Sequence, residues 1–399
     1  MSTASARRLL PSAAGLWVDA VHAQVCATTI ENYKLLQPYS SRLLHEIGYY
    51  LYQRGRYAEA AGFIEQALSM RQALYGTQHA DYALTLDIQG QIFRARGEFV
   101  AAEQKLDEAF RVLETDLSKR PVEAARVLCH LASLKLDQNE LADAEALFQK
   151  ALAIAQASVG EEHAETAQIA NNLAAVYFTQ GDYPRAHEMF ERTLVIREKI
   201  LPPNHPSIAQ AYNNLAAVCS RQRLCGDAEQ LYKKALSIRE NSLGADHPHV
   251  AETLYNLGLL YLKEKKCEAA EDCLERARQI REQTLGSHHP RTADVLGSLA
   301  EVRLVQRKVN DAEEFYTRSL NIRESALGKA HPDVGYSLMG LADVEQLRGN
   351  QAQVEILLRR ALDTLKNGLG SGHPDVVDCQ AKLKEALLAV GREPEANRL

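Results

Sequence analysis

Three kinds of polar side chain return along this sequence at a spacing of 42 residues, and each suggests a different chemistry. The first is the carboxamide. Asn171-Asn172 recurs as Asn213-Asn214 and then as Tyr255-Asn256, with Gln168 and Gln210 one helical turn before two of these positions. A carboxamide donates and accepts at once. A row of them matches the alternating N–H and C=O groups of an extended peptide, at roughly 0.5–1.5 kcal/mol per bond. The second is histidine, at His205, His247, His289, His331 and His373, each followed by proline. His163 and His79 continue the series with alanine, and Pro121 fills the remaining slot. Metal ligation needs several donors within roughly 2 Å of one ion. One imidazole per repeat does not supply that, so these histidines read as loop and helix-start residues. The third is arginine, in Ile196-Arg197-Glu198, Ile238-Arg239-Glu240, Ile280-Arg281-Glu282 and Ile322-Arg323-Glu324. Each has an adjacent glutamate, so the expectation is a solvent-facing ion pair of modest worth.

Other chemistry is not signalled. A net charge of −6 and a pI near 6.1 argue against a nucleic-acid surface. No apolar run reaches the roughly 18 residues of a membrane span. The seven cysteines form no C-x-x-C pair and are odd in number, which fits reduced thiols in a cytoplasmic protein. Cys225 and Cys267 occupy equivalent turns but belong to different repeats, and no bridge between them is expected. Nucleophile elbow, H-E-x-x-H, dinucleotide glycine and phosphate-loop patterns are all missing, so the expectation is a non-enzyme without cofactor or metal. The opening 18 residues carry Arg7 and Arg8 and no acid, a faint likeness to an organelle transit peptide.

The elements that must position these residues follow from the same period. Ala170, Leu173, Ala174 and Tyr177 fall on one face of a helix. Gly181-Asp182 interrupts the pattern, and a second helix follows with Ala186, Phe190 and Ile196 inward and Arg192, Arg197 and Glu198 outward. The turn position recurs as Gly55, Gly97, Asn139, Gly181, Arg223, Lys265, Arg307, Gly349 and Gly391. Each unit closes with Leu-Gly-x-x-His-Pro, as in Leu243 to Pro248, where glycine suits a helix end and proline a helix start. Leu173, Leu215 and Leu257 are expected in the core. The fold expected is an all-α, right-handed solenoid of about eight helix hairpins, spanning residues 41–375. Residues 1–40 are expected to form a leader with a capping helix built on Trp17, Val18, Val21 and Val25. Residues 376–399 are expected to give a final capping helix and tail, with no partner helix after Gly391.

The order of small and aromatic residues in each unit resembles that of tetratricopeptide repeats. The 42-residue length, with Asn-Asn-Leu-Ala, Ile-Arg-Glu and Leu-Gly-x-x-His-Pro, is similar to the kinesin light chain and nephrocystin subclass over about residues 41–391. The stretches around Ala6 to Ala14 and Ile47 to Ala60 are also similar to the repeat sensor arm of bacterial or fungal signal-transducing ATPases, whose phosphate loop is absent here. The resemblance implies that Asn172, Asn214 and Asn256 bind peptide main chain. The partner implied is a protein or peptide, held by an adaptor or scaffold in a concave groove; the alternative is the ligand-sensing arm of a signalling ATPase. Residues 1–40 carry no sustained a/d heptad, which argues against direct assembly with a kinesin heavy chain. The two lysines, two asparagines and arginine with which some such repeats clamp a chaperone's C-terminal carboxylate are not matched.

The peptide-binding set expected is Gln168, Asn171, Asn172, Gln210, Asn213, Asn214, Arg221, Tyr255, Asn256 and Lys263. Along the same face Arg126, Arg221 and Lys263 precede Glu252, Asp294, Glu301 and Asp343, so acidic ligand residues are expected nearer the fourth and fifth repeats. A bridge between neighbouring helices is the other role open to the asparagines.

Overall fold

The computed structural model describes residues 37–398, and among these it forms α-helices and turns without a strand. The chain divides into two units, residues 1–196 and 197–399. The first holds α1 (Pro38–Gln53), α2 (Tyr57–Tyr75), α3 (Ala80–Ala95), α4 (Phe99–Glu114), α5 (Pro121–Asp137), α6 (Leu141–Val159) and α7 (Ala164–Gln180). Its last residue falls inside α8 (Tyr183–Ile200). The second unit continues with α9 (Pro206–Arg221), α10 (Cys225–Leu243), α11 (Pro248–Lys263), α12 (Cys267–Leu285), α13 (Pro290–Val305), α14 (Val309–Leu327), α15 (Pro332–Arg348), α16 (Gln351–Leu369), α17 (Pro374–Ala389) and α18 (Glu393–Ala396). Odd-numbered helices open a hairpin and even-numbered ones close it. This is an all-α solenoid of 42-residue hairpins, as the period requires. The helix expected around Trp17 to Val25 lies outside the described residues.

Two columns of side chains hold each hairpin together. Ala60, Ala102, Ala144, Ala186, Ala228, Ala270 and Ala312 are fully buried in the second helices, 42 residues apart. The facing first-helix position is also small. At Gly258 a methyl group would sit 2.7 Å from Cγ of Leu274, so the glycine leaves the space that this side chain fills. The second column is large: Ile64, Leu106, Phe148, Phe190, Tyr232, Leu274, Tyr316 and Leu358 are all buried. Leu173, Leu215 and Leu257 are in the core as expected. Beyond Gly391 the structure departs from expectation. The four-residue α18 follows, with Ala396 buried and Arg392 donating to Glu355 at 2.5 Å.

The arginines of the Ile-Arg-Glu motif are not on the surface. Arg197 is 3% exposed and Arg239 4%, with Arg281 and Arg323 close behind, so the outward placement of Arg197 is corrected. The partner is a backbone carbonyl ten residues on, at the start of the next hairpin. Arg197 donates to Ser207 O at 2.7 Å, Arg239 to His249 O at 2.6 Å, Arg281 to Arg291 O at 2.6 Å and Arg323 to Asp333 O at 3.0 Å. In the first unit Arg71 does the same to Asp81 O at 2.7 Å. A hydroxyl completes three of these clamps, through Thr85, Thr253 and Ser337. Burial pulls the Arg197 guanidinium down to about 10, still charged at neutral pH.

The repeating histidines act on the same residue. Each caps a first helix, its Nδ1 accepting from the N–H two residues on: His205 from Ser207 at 3.1 Å, His247 from His249 at 3.2 Å, His289 from Arg291 at 3.1 Å and His331 from Asp333 at 3.2 Å. That residue therefore has its N–H taken by imidazole and its C=O by guanidinium.

Every residue of the turn column adopts positive φ. Gly181 and Gly349 do so at 79°, and Asn139, Arg223, Lys265 and Arg307 follow at 59–65° despite their side chains. The left-handed residue lets the next N–H reach back to the helix, as when Lys266 N donates to Tyr261 O at 2.9 Å.

Two outcomes are expected. Arg239→Met should cost about 2–4 kcal/mol in urea unfolding, because it takes a charged donor from both the His249 carbonyl and the Thr253 hydroxyl and leaves them only their mutual 3.3 Å bond. A loss below half a kcal/mol would show that the clamp is idle. Lys265→Gly should stabilise by roughly 0.5–1 kcal/mol, relief of left-handed strain exceeding the added chain entropy. Asn139→Gly should change little, since asparagine tolerates this region; equal gains at both sites would contradict the strain argument.

Candidate functional site

The face of interest is the side of the first helices not covered by their hairpin partners. In the first unit it includes Gln168, Asn171 and Asn172 on α7. Gln168 is exposed, Asn172 half-buried and Asn171 only 5% exposed. Gln168 Nε2 donates to Asn172 Oδ1 at 3.0 Å, and Asn171 Nδ2 approaches the same oxygen at 3.5 Å. The doublet thus splits: one asparagine lies on the face and the other beneath it.

The second unit repeats this division. Asn213 is 4% exposed, whereas Asn214 and Asn256 are half-buried and Gln210 is open. Asn256 Nδ2 donates to Asn213 Oδ1 at 3.4 Å, from α11 to α9. The bridging role left open for the asparagines is therefore present at Asn213, and the reading of Asn171 and Asn213 as open carboxamides is corrected. Successive helix positions are about 100° apart, so only one of two adjacent asparagines can look outward. Asn256 uses one N–H in this bond and keeps its second N–H and its carbonyl oxygen.

The remaining expected residues gather around this pair. Gln210 Oε1 accepts from Arg197 at 3.3 Å. The Tyr255 ring lies beneath the Arg281 guanidinium, 4.6 Å from centroid to carbon. Burial raises the Tyr255 phenol above its ordinary value. Lys263 Nζ donates to Ser220 O at 2.8 Å, and Arg221 is exposed at the end of α9.

Most acids of the face are already engaged. Glu252 accepts from Arg239 at 3.4 Å and lies 3.2 Å from His249 Nδ1. Asp294 accepts from Arg323 at 2.8 Å, and both oxygens of Asp343 accept from Lys382 at 2.9 Å. In the first unit Arg126 meets Glu165 at 3.4 Å.

One bridge in the first unit escaped the sequence reading. His130 Nδ1 and Asp87 Oδ1 are 2.6 Å apart, with Asp87 4% exposed. They are separated by 43 residues, as Asn213 and Asn256 are, so the register held the signal although the residue types differ. No group of three or more metal-ligating side chains occurs among the described residues. None of the described helices is long and apolar enough to cross a membrane. The six described cysteines are free thiols, Cys225 and Cys267 included.

The tetratricopeptide repeat family profile matches residues 39–115, 123–199, 207–283, 250–325 and 291–367. The chain belongs to the tetratricopeptide repeat family. No curated protein matches it in sequence. Among solved structures, the apo quorum sensor NprR of B. thuringiensis is similar at 16% identity, covering 86% of this chain and 94% of its own, with a TM-score of 0.63. Aspartyl phosphate phosphatase F of Bacillus subtilis follows at 18% identity, 90% and 91% coverage and a TM-score of 0.56. The nearly identical repeats assigned to a kinesin light chain of Podosopora anserina share 22% identity over 52% of this chain and 98% of theirs, with a TM-score of 0.45. At these identities the likeness is one of fold.

The bridge between first helices predicts a stability role for the buried member. Asn213→Ala should cost about 1 kcal/mol in thermal or urea unfolding, since it strips a bond from Asn256. Asn214→Ala, one position outward, should cost less, and the reverse order would contradict the division of the doublet.

Proposed function

We propose that this tetratricopeptide repeat protein is a non-catalytic scaffold that holds extended peptide segments on the open face of its first helices. The observation that carries the reading is the outward asparagine repeated at Asn214 and Asn256, with bonding capacity left over at Asn256. Within the second unit the ligand main chain runs across these carboxamides, with Gln210, Arg221, Tyr255 and Lys263 around it. In the first unit Gln168 and Asn172 offer the same groups. Asn213 acts from below, fixing Asn256 against the neighbouring helix, while Asn171 approaches Asn172 on its own helix. Arg221 and Lys263 favour acidic ligand side chains at this end of the second unit. A cytoplasmic location agrees with the free thiols. The family's fold is commonly one of binding rather than catalysis, and nothing in the described face groups a nucleophile with a base.

The second reading is a ligand-sensing repeat arm of a signalling ATPase. It draws support from likeness in fold to NprR, which is titled a quorum sensor. Both readings share a peptide-sized ligand on this face and differ in what the chain reports to.

The test is direct. Dodecapeptides selected from a random display library against the whole chain should lose at least tenfold in affinity on Asn214→Ala plus Asn256→Ala, about 1.4 kcal/mol. Circular dichroism should show the helices intact. Selected peptides that bind the double variant as tightly as the parent would place the site elsewhere.

A further inference from the structure

The face of the second unit changes character between its first and last repeats, and one carboxylate there has no cation bonded to it. Asp343 on α15 has its ammonium, from Lys382 on α17, 39 residues later. Glu301 on α13 holds the equivalent place one repeat earlier. The residue that would bring it a lysine is 39 positions on, and that residue is Gly340. Glu301 is open to solvent and makes no ion pair or hydrogen bond, while Asp343 stands nearby. Its carboxyl is held above the ordinary glutamate range by burial and by Asp343, against the weaker pull of the Lys382 ammonium.

The floor beneath this carboxylate is independent of the charge. A methyl group at Gly340 would collide with Cε1 and Cζ of Tyr316, so the hydroxyl-bearing end of that ring rises under the glycine. Tyr316 is 8% exposed, and its hydroxyl has no hydrogen-bond partner. The Glu301 and Asp343 carboxylates both act on that phenol, adding to the effect of burial. A buried tyrosine usually finds a partner for its hydroxyl. Here it is left to the space beside Glu301. One turn further along the same two helices, Val305 and Leu347 are 44% and 45% exposed, so an apolar strip borders the site.

We propose that Glu301, the Tyr316 hydroxyl and the gap over Gly340 form a subsite for a lysine or arginine side chain of a bound polypeptide, next to an apolar residue seated on Val305 and Leu347. This rests on the peptide-binding reading of the face and extends it to the chemistry of the ligand. The cation donates to Glu301 and to the phenol oxygen, in the place that Lys382 takes toward Asp343 in the following repeat. A metal ion is a poorer occupant, because among the described residues no three ligating side chains come together. In the second unit the ligand is then acidic toward Arg221 and Lys263 and basic toward Glu301.

Fluorescence anisotropy with labelled dodecapeptides tests this. The peptides share a serine, leucine and glutamine background and differ at one central position, carrying arginine, lysine, glutamine or glutamate. The arginine and lysine peptides should bind the intact chain about tenfold more tightly than the glutamine peptide, and the preference should shrink at high salt. Glu301→Gln should remove the preference and leave the glutamine peptide unchanged. It should also leave the thermal midpoint unchanged or slightly raised, since no pair is broken. Asn256→Ala should weaken all four peptides alike. Equal binding of all four to the parent, or a preference that survives Glu301→Gln, overturns the subsite while leaving the face intact. Absence of any peptide binding to the parent overturns both. Calcium binding by calorimetry that Glu301→Gln abolishes would reassign the carboxylate to a metal.

Discussion

A buried guanidinium at five of the junctions between consecutive hairpins, supplied by Arg71, Arg197, Arg239, Arg281 and Arg323, fixes where the next hairpin begins. Hairpins that touch only their neighbours lack the long-range contacts that correct register in a globular core. Apolar columns alone tolerate small slides, because alanine and leucine have no preferred direction of contact. A charged planar donor aimed at one carbonyl does not tolerate them. Arg239 fixes the His249 carbonyl while His247 fixes the His249 amide, so the second residue of α11 is held from both sides. The same pairing recurs at Ser207, Arg291 and Asp333. Removing a guanidinium from water is expensive, and a good hydrophobic replacement can match it. The sequence shows that replacement too: Leu113, Ala155 and Leu365 stand in the corresponding slots and are buried.

Because the clamp acts on the first turn, it sets the rotation of the first helix about its own axis. Rotation determines which of two adjacent asparagines looks outward. Asn213 is turned toward α11 and Asn214 toward the open side, so a bond between helices and a candidate ligand contact come from neighbouring residues. The open positions themselves contribute little to packing and are free to vary. Over the second unit they pass from Arg221 and Lys263 to Glu301 and Asp343 without disturbing the buried columns.

The hairpins, turns and core leucines were legible in the sequence because each depends on a local pattern that repetition amplifies. Positive φ at Arg223, Lys265 and Arg307 was readable only from the register, since no residue type there announces it. The buried arginines were not readable. Beside Glu198, Arg197 looks like half of a surface pair, and its true partner is a main-chain carbonyl, a group every residue carries. Acceptors of that kind leave no trace in side-chain identity. The burial of Asn171 and Asn213 was hidden for a related reason, since an Asn-Asn doublet does not say which member faces the next helix. The Asp87–His130 pair is not legible from residue type, because its geometry follows position in the repeat.

The locking groups and the variable polar face consequently lie on different helices of each hairpin. The groups that lock one hairpin to the next are nine-tenths buried and act within the first turn or the seam, as Arg239 and Arg323 do. The groups that vary in charge, Arg221, Lys263, Glu301 and Asp343, lie on the first helices, past the turn that those arginines hold. In a nearest-neighbour array a change at one repeat is felt by its two neighbours and little beyond. A substitution such as lysine to glycine at the Gly340 position of a repeat can therefore expose a carboxylate for a guest without loosening the clamp that positions it. Gly340 is possible at all because Tyr316 fills the volume its missing side chain leaves. The same residue places a phenol under the influence of the Glu301 carboxylate, so one side chain serves both the packing and the proposed subsite.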